Sequence, residues 1–166
     1  MSYHDYPPHY LSSRDKWQDL AAETGKAGEA TFATALRCTL PPHYEVIEKP
    51  PKLKIYEGGK GIKPDTKIIN HNTGRCLYVE KKTGNNGGNA HERVFKYCTK
   101  GIKRHTRRVD PSVVDDPFFL VFSGDTFQRQ QYQSKLKVDL EGENYAIMDS
   151  GFANINEVAQ QIMEIL

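Results

Sequence analysis

Alternating apolar and polar stretches divide the first part of the chain into an arm and a helical region. Residues 16–36 carry apolar side chains at helical spacing, interrupted by two glycines, and Pro41-Pro42 follows them. This pattern predicts one long helix, or two shorter ones, ending before the prolines. Residues 1–13 have no such periodicity and are predicted to form a flexible arm.

The next segment predicts three strands, two of them joined in a hairpin. Residues 44–48 have the composition of a short strand. Residues 65–70 and 75–82 predict two further strands, and the intervening His71-Asn72-Thr73-Gly74 is typical of a tight turn. The stretch 49–63 is rich in Pro, Lys and Gly and is predicted to be mostly loop.

The second half of the chain alternates helices and strands. Residues 90–100 predict a helix capped by Asn89, and the unbroken apolar run 118–122 predicts a buried central strand. A polar helix over 127–136, a short strand over 145–147 and a last helix over 154–166 complete the prediction. We therefore expect a single α/β domain over 14–166, with a central mixed sheet flanked by helices.

Composition indicates a globular protein and excludes several classes of site. Of the 166 residues, 37% are hydrophobic and 27% charged, and no apolar run approaches the roughly 18 residues of a membrane span. The three cysteines are too widely spaced to predict a disulfide framework or, with the histidines, a zinc site, so we expect a reducing, cytoplasmic location. A P-loop motif is also absent, so we expect no nucleotide cofactor. The cysteines are Cys38, Cys76 and Cys98.

The formal net charge of +2 hides a strongly basic segment between residues 93 and 108. Such a segment suits a polyanionic partner, although a solvated helix face followed by a basic loop is equally compatible with it. Its cations are Arg93, Lys96, Lys100, Lys103, Arg104, Arg107 and Arg108.

The predicted hairpin brings two carboxylates and an ammonium together. Glu80 and Lys82 are two residues apart on a strand, so their side chains leave the same face of the sheet. Asp65 begins the partner strand, which can bring its carboxylate beside Glu80. Paired carboxylates suit a hard cation such as Mg²⁺, and Lys82 could orient a water or stabilise charge on a phosphate. The alternative is that all three are ordinary polar residues where a strand enters solvent.

The order Pro64-Asp65, fourteen positions, then Glu80-Lys81-Lys82 resembles the PD-(D/E)xK nuclease superfamily. The resemblance implies a restriction-endonuclease-like core that binds Mg²⁺ and hydrolyses DNA to 5′-phosphate ends. It also implies that the ion is held by Asp65, Glu80 and the main-chain carbonyl of Lys81, while Lys82 assists the attacking water.

In this superfamily, a helix before the first strand often contributes another carboxylate. The segment 25–29 (GKAGE) resembles that helix and makes Glu29 the candidate. The alternative is an ordinary exposed helix glutamate.

Residues 88–93 (GNAHER) resemble the GNAxER segment of restriction endonucleases of the EcoRI and MunI type. The resemblance implies that Asn89 and Arg93 read bases, that Ala90 packs beside them, that Glu92 orients arginines, and that the site has an AATT core. Asparagine and arginine are suited to adenine and guanine edges in the major groove. The alternatives are a helix cap for Asn89 and a surface ion pair for Arg93.

The sequence therefore favours a Mg²⁺-dependent type II restriction-like endonuclease acting on double-stranded DNA as a homodimer. The apolar stripe of the last helix fits either a dimer interface or, preferably, core packing. Two other hypotheses stay open: a structure-selective nuclease, such as a Holliday-junction resolvase or a phage or repair nuclease, and a DNA-binding module without catalysis. The residues predicted to contact phosphate are Lys96, Lys100, Lys103 and Arg104.

Overall fold

A five-stranded mixed sheet forms the centre of the protein in a computed structural model that describes residues 32–84 and 90–166. The strands lie in chain order across the sheet; the first three are antiparallel, and the third, fourth and fifth are parallel. The expected mixed α/β sheet is thus confirmed. Its strands are β1 (Tyr44–Glu48), β2 (Thr66–Asn70), β3 (Arg75–Thr83), β4 (Val113–Ser123) and β5 (Tyr145–Ile147).

Helices cover both faces of this sheet because alternate side chains of β3 and β4 point to opposite sides. Leu77 and Val79 join a core with α1 and α5, whereas Cys76 and Tyr78 join a second core with the remaining α-helices and a long 3-10 helix. The α-helices are α1 (Phe32–Thr39), α2 (Lys100–Val109), α3 (Asp125–Gln128), α4 (Gln130–Asp139) and α5 (Ile155–Ile165). The 3-10 helices are Ala90–Cys98 and Ser150–Phe152.

The predicted hairpin of β2 and β3 is present. Its register pairs Thr66 with Val79 and Asn70 with Arg75. Gly74 closes the turn with φ 73°, a left-handed conformation that glycine adopts without steric cost. The local turn residues and the apolar alternation therefore specify this register.

Three predictions of secondary structure differ from the structure. Strand β4 begins at Val113 and contains Pro117, which lies where the β3–β4 register shifts, a position that tolerates a missing N–H donor. The predicted helix 127–136 is two helices, since Arg129 has an extended backbone (φ −77°, ψ 136°). The predicted helix 90–100 is the 3-10 helix Ala90–Cys98, and Thr99 separates it from α2.

The second part of the basic segment forms helix α2, not the loop that was one of the two alternatives. The Thr99 hydroxyl accepts a hydrogen bond from the Ile102 N–H at 3.1 Å, which caps the first turn of α2.

The apolar stripe of α5 packs into the core, as preferred from the sequence. The predicted arm 1–13, Glu29, Asn89 and most of the predicted helix 16–36 lie outside the described residues. Across residues 32–84 and 90–166, no helix is long and apolar enough to cross a membrane.

Candidate functional site

The hairpin brings the carboxylate of Asp65 against the end of β3. Asp65 directly precedes β2, and its Oδ2 accepts a hydrogen bond from the Lys81 N–H at 2.9 Å. The Asp65 carbonyl accepts another from the Lys49 N–H at 2.9 Å, which fixes the backbone on its other side. Asp65 is thereby held beside the strand that carries Glu80 and Lys82.

Glu80 and Lys82 share one face of β3, as predicted. The Glu80 side chain is only 8% exposed, and its Oε1 lies 3.4 Å from the Nζ of Lys82. Its Oε2 accepts a hydrogen bond at 3.3 Å from the hydroxyl of Tyr97, a buried residue of the 3-10 helix. Both carboxylate oxygens of Glu80 therefore have partners.

Burial and like charge make ionisation of Glu80 costly. Burial raises the pKa of Glu80, the negative charge of Asp65 raises it further, and Lys82 and Tyr97 offset part of the increase. Burial also raises the pKa of Tyr97, with Glu80 adding to the effect, so the phenol stays protonated and donates. A cation bound between the two carboxylates would relieve their repulsion.

Lys81 lies on the opposite face of β3 from Glu80. Its Nζ is 5.3 Å from the centroid of the Phe152 ring. Burial lowers the pKa of Lys81, while Asp65 opposes the change. The side chain of Lys81 is therefore separated from the face with Glu80 and Lys82, and its backbone is the part that reaches Asp65.

The oxygen donors at this site fit a hard divalent cation. Mg²⁺ is commonly held by one or two carboxylates together with waters and substrate phosphates. Asp65 and Glu80 supply such a pair, and no cluster of three or more His, Cys, Asp or Glu suited to a metal occurs among the described residues. Glu29, the predicted additional carboxylate, lies outside them.

The 3-10 helix has one buried and one exposed face. His91, Val94 and Tyr97 are all buried, and their spacing of three matches the three residues per turn of this helix. Glu92 and Arg93 are exposed. Within the described part of the chain, Arg93 forms no ion pair. The predicted base-reading side chain therefore lies, unpaired within that part of the chain, on the outer face of the 3-10 helix. The inner face of the same helix contacts Glu80 through Tyr97.

Helix α2 continues the basic surface, although one of its lysines is engaged elsewhere. Lys100 and Arg104 are exposed, as is Lys96 on the preceding helix. Lys103 is 15% exposed, and its Nζ lies 2.5 Å from Glu143 and 3.1 Å from Asp116. These two ion pairs argue against the predicted phosphate contact of Lys103.

Sequence reasoning did not identify Tyr97 as part of the site. The signal available was the apolar or aromatic residue at every third position from His91, which only a 3-10 helix places on one face. An α-helical interpretation of the same residues distributes them over a wider arc.

Comparison with known proteins finds a matching family and a similar structure. The family model for type II restriction enzyme MunI matches residues 56–137, which include Asp65, Glu80, Lys82 and the basic segment. The fold is similar to that of MunI restriction endonuclease, solved as a crystal structure in complex with cognate DNA, with a TM-score of 0.68, 23% sequence identity, and coverage of 94% of this chain and 98% of that chain. A search of curated proteins found no match. Residues 56–137, which carry the site, therefore resemble the MunI family of type II restriction enzymes, which are DNA-cleaving endonucleases.

Proposed function

We propose that this protein is a Mg²⁺-dependent endonuclease that cuts double-stranded DNA at a site with an AATT core and leaves 5′-phosphate ends. The observation that carries the proposal is the hydrogen bond from the Lys81 N–H to Asp65, which holds this carboxylate beside the strand that bears Glu80 and Lys82. The AATT core is inferred from the resemblance of residues 88–93 to the GNAxER segment.

The proposed metal ligands are the carboxylates of Asp65 and Glu80 and the main-chain carbonyl of Lys81. A bound Mg²⁺ would polarise the phosphodiester and lower the pKa of a water. The ammonium of Lys82, 3.4 Å from Glu80, would stabilise negative charge that develops on the phosphate. Water adds to phosphorus and the P–O3′ bond breaks, so the products carry a 5′-phosphate and a 3′-hydroxyl.

The proposed DNA-reading surface is formed by the segment that follows β3, in which Glu92 and Arg93 are exposed. Asn89 and Arg93 would bond to base edges, Ala90 would pack beside them, and Glu92 would orient arginines. The related MunI structure is of a complex with cognate DNA. The exposed cations proposed to contact phosphates are Lys96, Lys100 and Arg104.

We further propose that two copies of the chain act together. Cutting both strands of a palindrome requires two active sites related by a twofold axis. The apolar stripe of α5 is committed to the core, so the interface should use another surface. Sedimentation of the protein with a short duplex should show two chains per DNA, whereas one chain per duplex would contradict this part of the proposal.

The test of function is cleavage of a plasmid of known sequence with and without Mg²⁺, followed by sequencing of the product ends. Wild type should give discrete fragments whose ends share AATT. Lys82→Ala should reduce the rate by at least about 100-fold, because it removes a charge at the reacting phosphate. The matched control is Lys135→Ala, an exposed lysine on α4, which should cleave like wild type.

The other outcomes are also informative. Cleavage without a shared sequence, or a preference for branched DNA, would contradict sequence specificity and favour a structure-selective nuclease. Binding without cleavage by the wild type would contradict the catalytic proposal.

A further inference from the structure

The carboxylate of Glu80 is held from two sides by different elements. Its Oε1 faces Lys82 of the same strand at 3.4 Å, and its Oε2 accepts the Tyr97 hydroxyl at 3.3 Å from the 3-10 helix. The hydrogen bond joins residues 17 positions apart within the buried part of the molecule. Lys82, whose side chain is 28% exposed, contacts only Oε1. Without Tyr97, the Oε2 of Glu80 would have no protein donor among the described residues.

Tyr97 is rigidly placed to make this contact. Its side chain is 2% exposed, and its ring centroid lies 4.9 Å from that of Phe118 on β4. The three-residue repeat of the 3-10 helix directs it inward together with Val94, which is fully buried. A well-packed aromatic ring loses little further entropy when its hydroxyl binds, so it can fix the orientation of a neighbouring carboxylate.

We infer that Tyr97 is a positioning residue that orients Glu80 for binding the divalent cation. The inference rests on the proposed function, in which Glu80 is a metal ligand. Without the hydroxyl, the repulsion from Asp65 and the attraction to Lys82 would decide the orientation of Glu80. The cation would then bind more weakly, because part of its binding free energy would be used to orient the carboxylate of Glu80.

The protein contains a matched control for this interaction. Tyr78, on the same face of β3, donates its hydroxyl to Asp110 at 2.7 Å, and its ring lies 6.3 Å from the same Phe118. Tyr97→Phe and Tyr78→Phe therefore each remove one phenol–carboxylate hydrogen bond from the same hydrophobic core and keep the ring. Only the first bond involves the proposed metal ligand.

The experiment measures Mn²⁺ binding to the full chain with a non-cleavable duplex, by electron paramagnetic resonance, alongside the Mg²⁺ dependence of cleavage. Tyr97→Phe should raise the Kd for Mn²⁺ about 10-fold, the effect typical of losing a partner of a metal ligand. Cleavage should recover at high Mg²⁺, so that the half-saturating Mg²⁺ concentration changes more than the maximal rate. Tyr78→Phe should lower the melting temperature and leave the Kd unchanged.

The outcomes separate this inference from the function on which it rests. If wild type binds Mn²⁺, Asp65→Asn abolishes binding, and Tyr97→Phe binds as wild type does, the positioning role is overturned and the proposed function stands. Equal loss of Mn²⁺ affinity in Tyr97→Phe and Tyr78→Phe would also overturn it, because the effect would then be general loosening of the core. If wild type binds no Mn²⁺ on DNA, the metal role of Glu80 fails and the inference fails with it.

Discussion

Asp110, immediately after α2, joins the β2–β3 hairpin to the start of β4. Its Oδ2 lies 3.0 Å from the Lys67 Nζ and accepts the Tyr78 hydroxyl at 2.7 Å, while its Oδ1 accepts the Ser112 hydroxyl at 2.6 Å. Burial alone would raise the pKa of Asp110, but the hydrogen bonds from Ser112, Tyr78 and Lys67 outweigh it and lower the pKa to about 2. The ionised form of Asp110 therefore stabilises the fold at neutral pH.

Asp110→Asn should lower the free energy of unfolding by about 2 kcal/mol at pH 7, since one pKa unit corresponds to about 1.4 kcal/mol. Because the folded pKa is depressed, this stabilisation is complete above the unfolded value of 3.8 and is lost as the pH falls through about 2. Denaturant titrations at pH 7, 4 and 3 should show the gap between wild type and variant narrowing at the lowest pH. A gap independent of pH would show that the Asp110 charge contributes nothing.

At the scale of secondary-structure elements, the 3-10 helix Ala90–Cys98 separates buried residues from the exposed residues that we propose read DNA. Its inner residues pack against β3 and β4, and its outer residues face solvent. His91 illustrates the inner side: it is 1% exposed, its ring packs edge-on against Phe95 at 5.8 Å, and its Nε2 lies 3.5 Å from Asp139 of α4. The position left open in the GNAxER pattern is thus, in this chain, a buried residue that lies close to α4.

Substitutions on the two sides of this helix should have opposite consequences. Val94→Ala removes buried methyl groups and should cost about 2 kcal/mol of stability, with the ratio of cognate to non-cognate binding preserved. Arg93→Ala should leave stability within about 0.5 kcal/mol and cost about 1–3 kcal/mol of cognate binding. Thermal unfolding and competition binding measure both quantities, and a large loss of stability in Arg93→Ala would contradict the assignment of faces.

At the scale of the whole molecule, attraction of a polyanion depends more on where the charges lie than on the net charge. The net charge is only +2, yet Lys96, Lys100 and Arg104 are exposed along the two consecutive helices that follow β3. Cations concentrated near one site attract the phosphate backbone, and each phosphate contact releases counterions. The Nζ of Lys103, in contrast, pairs with Glu143 and Asp116.

The double variant Lys100→Ala, Arg104→Ala should weaken binding to cognate and non-cognate duplexes by the same factor. The slope of log K against log salt concentration should decrease in magnitude by about 2, one for each lost phosphate contact. Lys103→Ala is the comparison, and it should leave this slope unchanged while lowering stability, because the partly buried carboxylates of Glu143 and Asp116 lose their partner. A change of slope for Lys103→Ala would restore it as a phosphate contact.

The sequence by itself determined the hairpin, the central strand and the grouping of Asp65, Glu80 and Lys82. These features depend on short-range rules: turn residues define where two strands reverse, and a side-chain period of two places Glu80 and Lys82 on one face. The register then puts Asp65 beside them without information from the rest of the chain. The basic segment was also visible in the sequence, because charge is a property of the residues themselves.

Only the tertiary structure decided which polar groups far apart in the sequence contact each other. The contact of Tyr97 with Glu80 and the pairing of Lys103 with Glu143 join residues 17 and 40 positions apart. No periodicity encodes such pairs, since they depend on how helices dock on the sheet. The change from 3-10 helix to α-helix at Thr99 has the same origin: packing of His91, Val94 and Tyr97 against the core outweighs the weak local preference for a continuous α-helix.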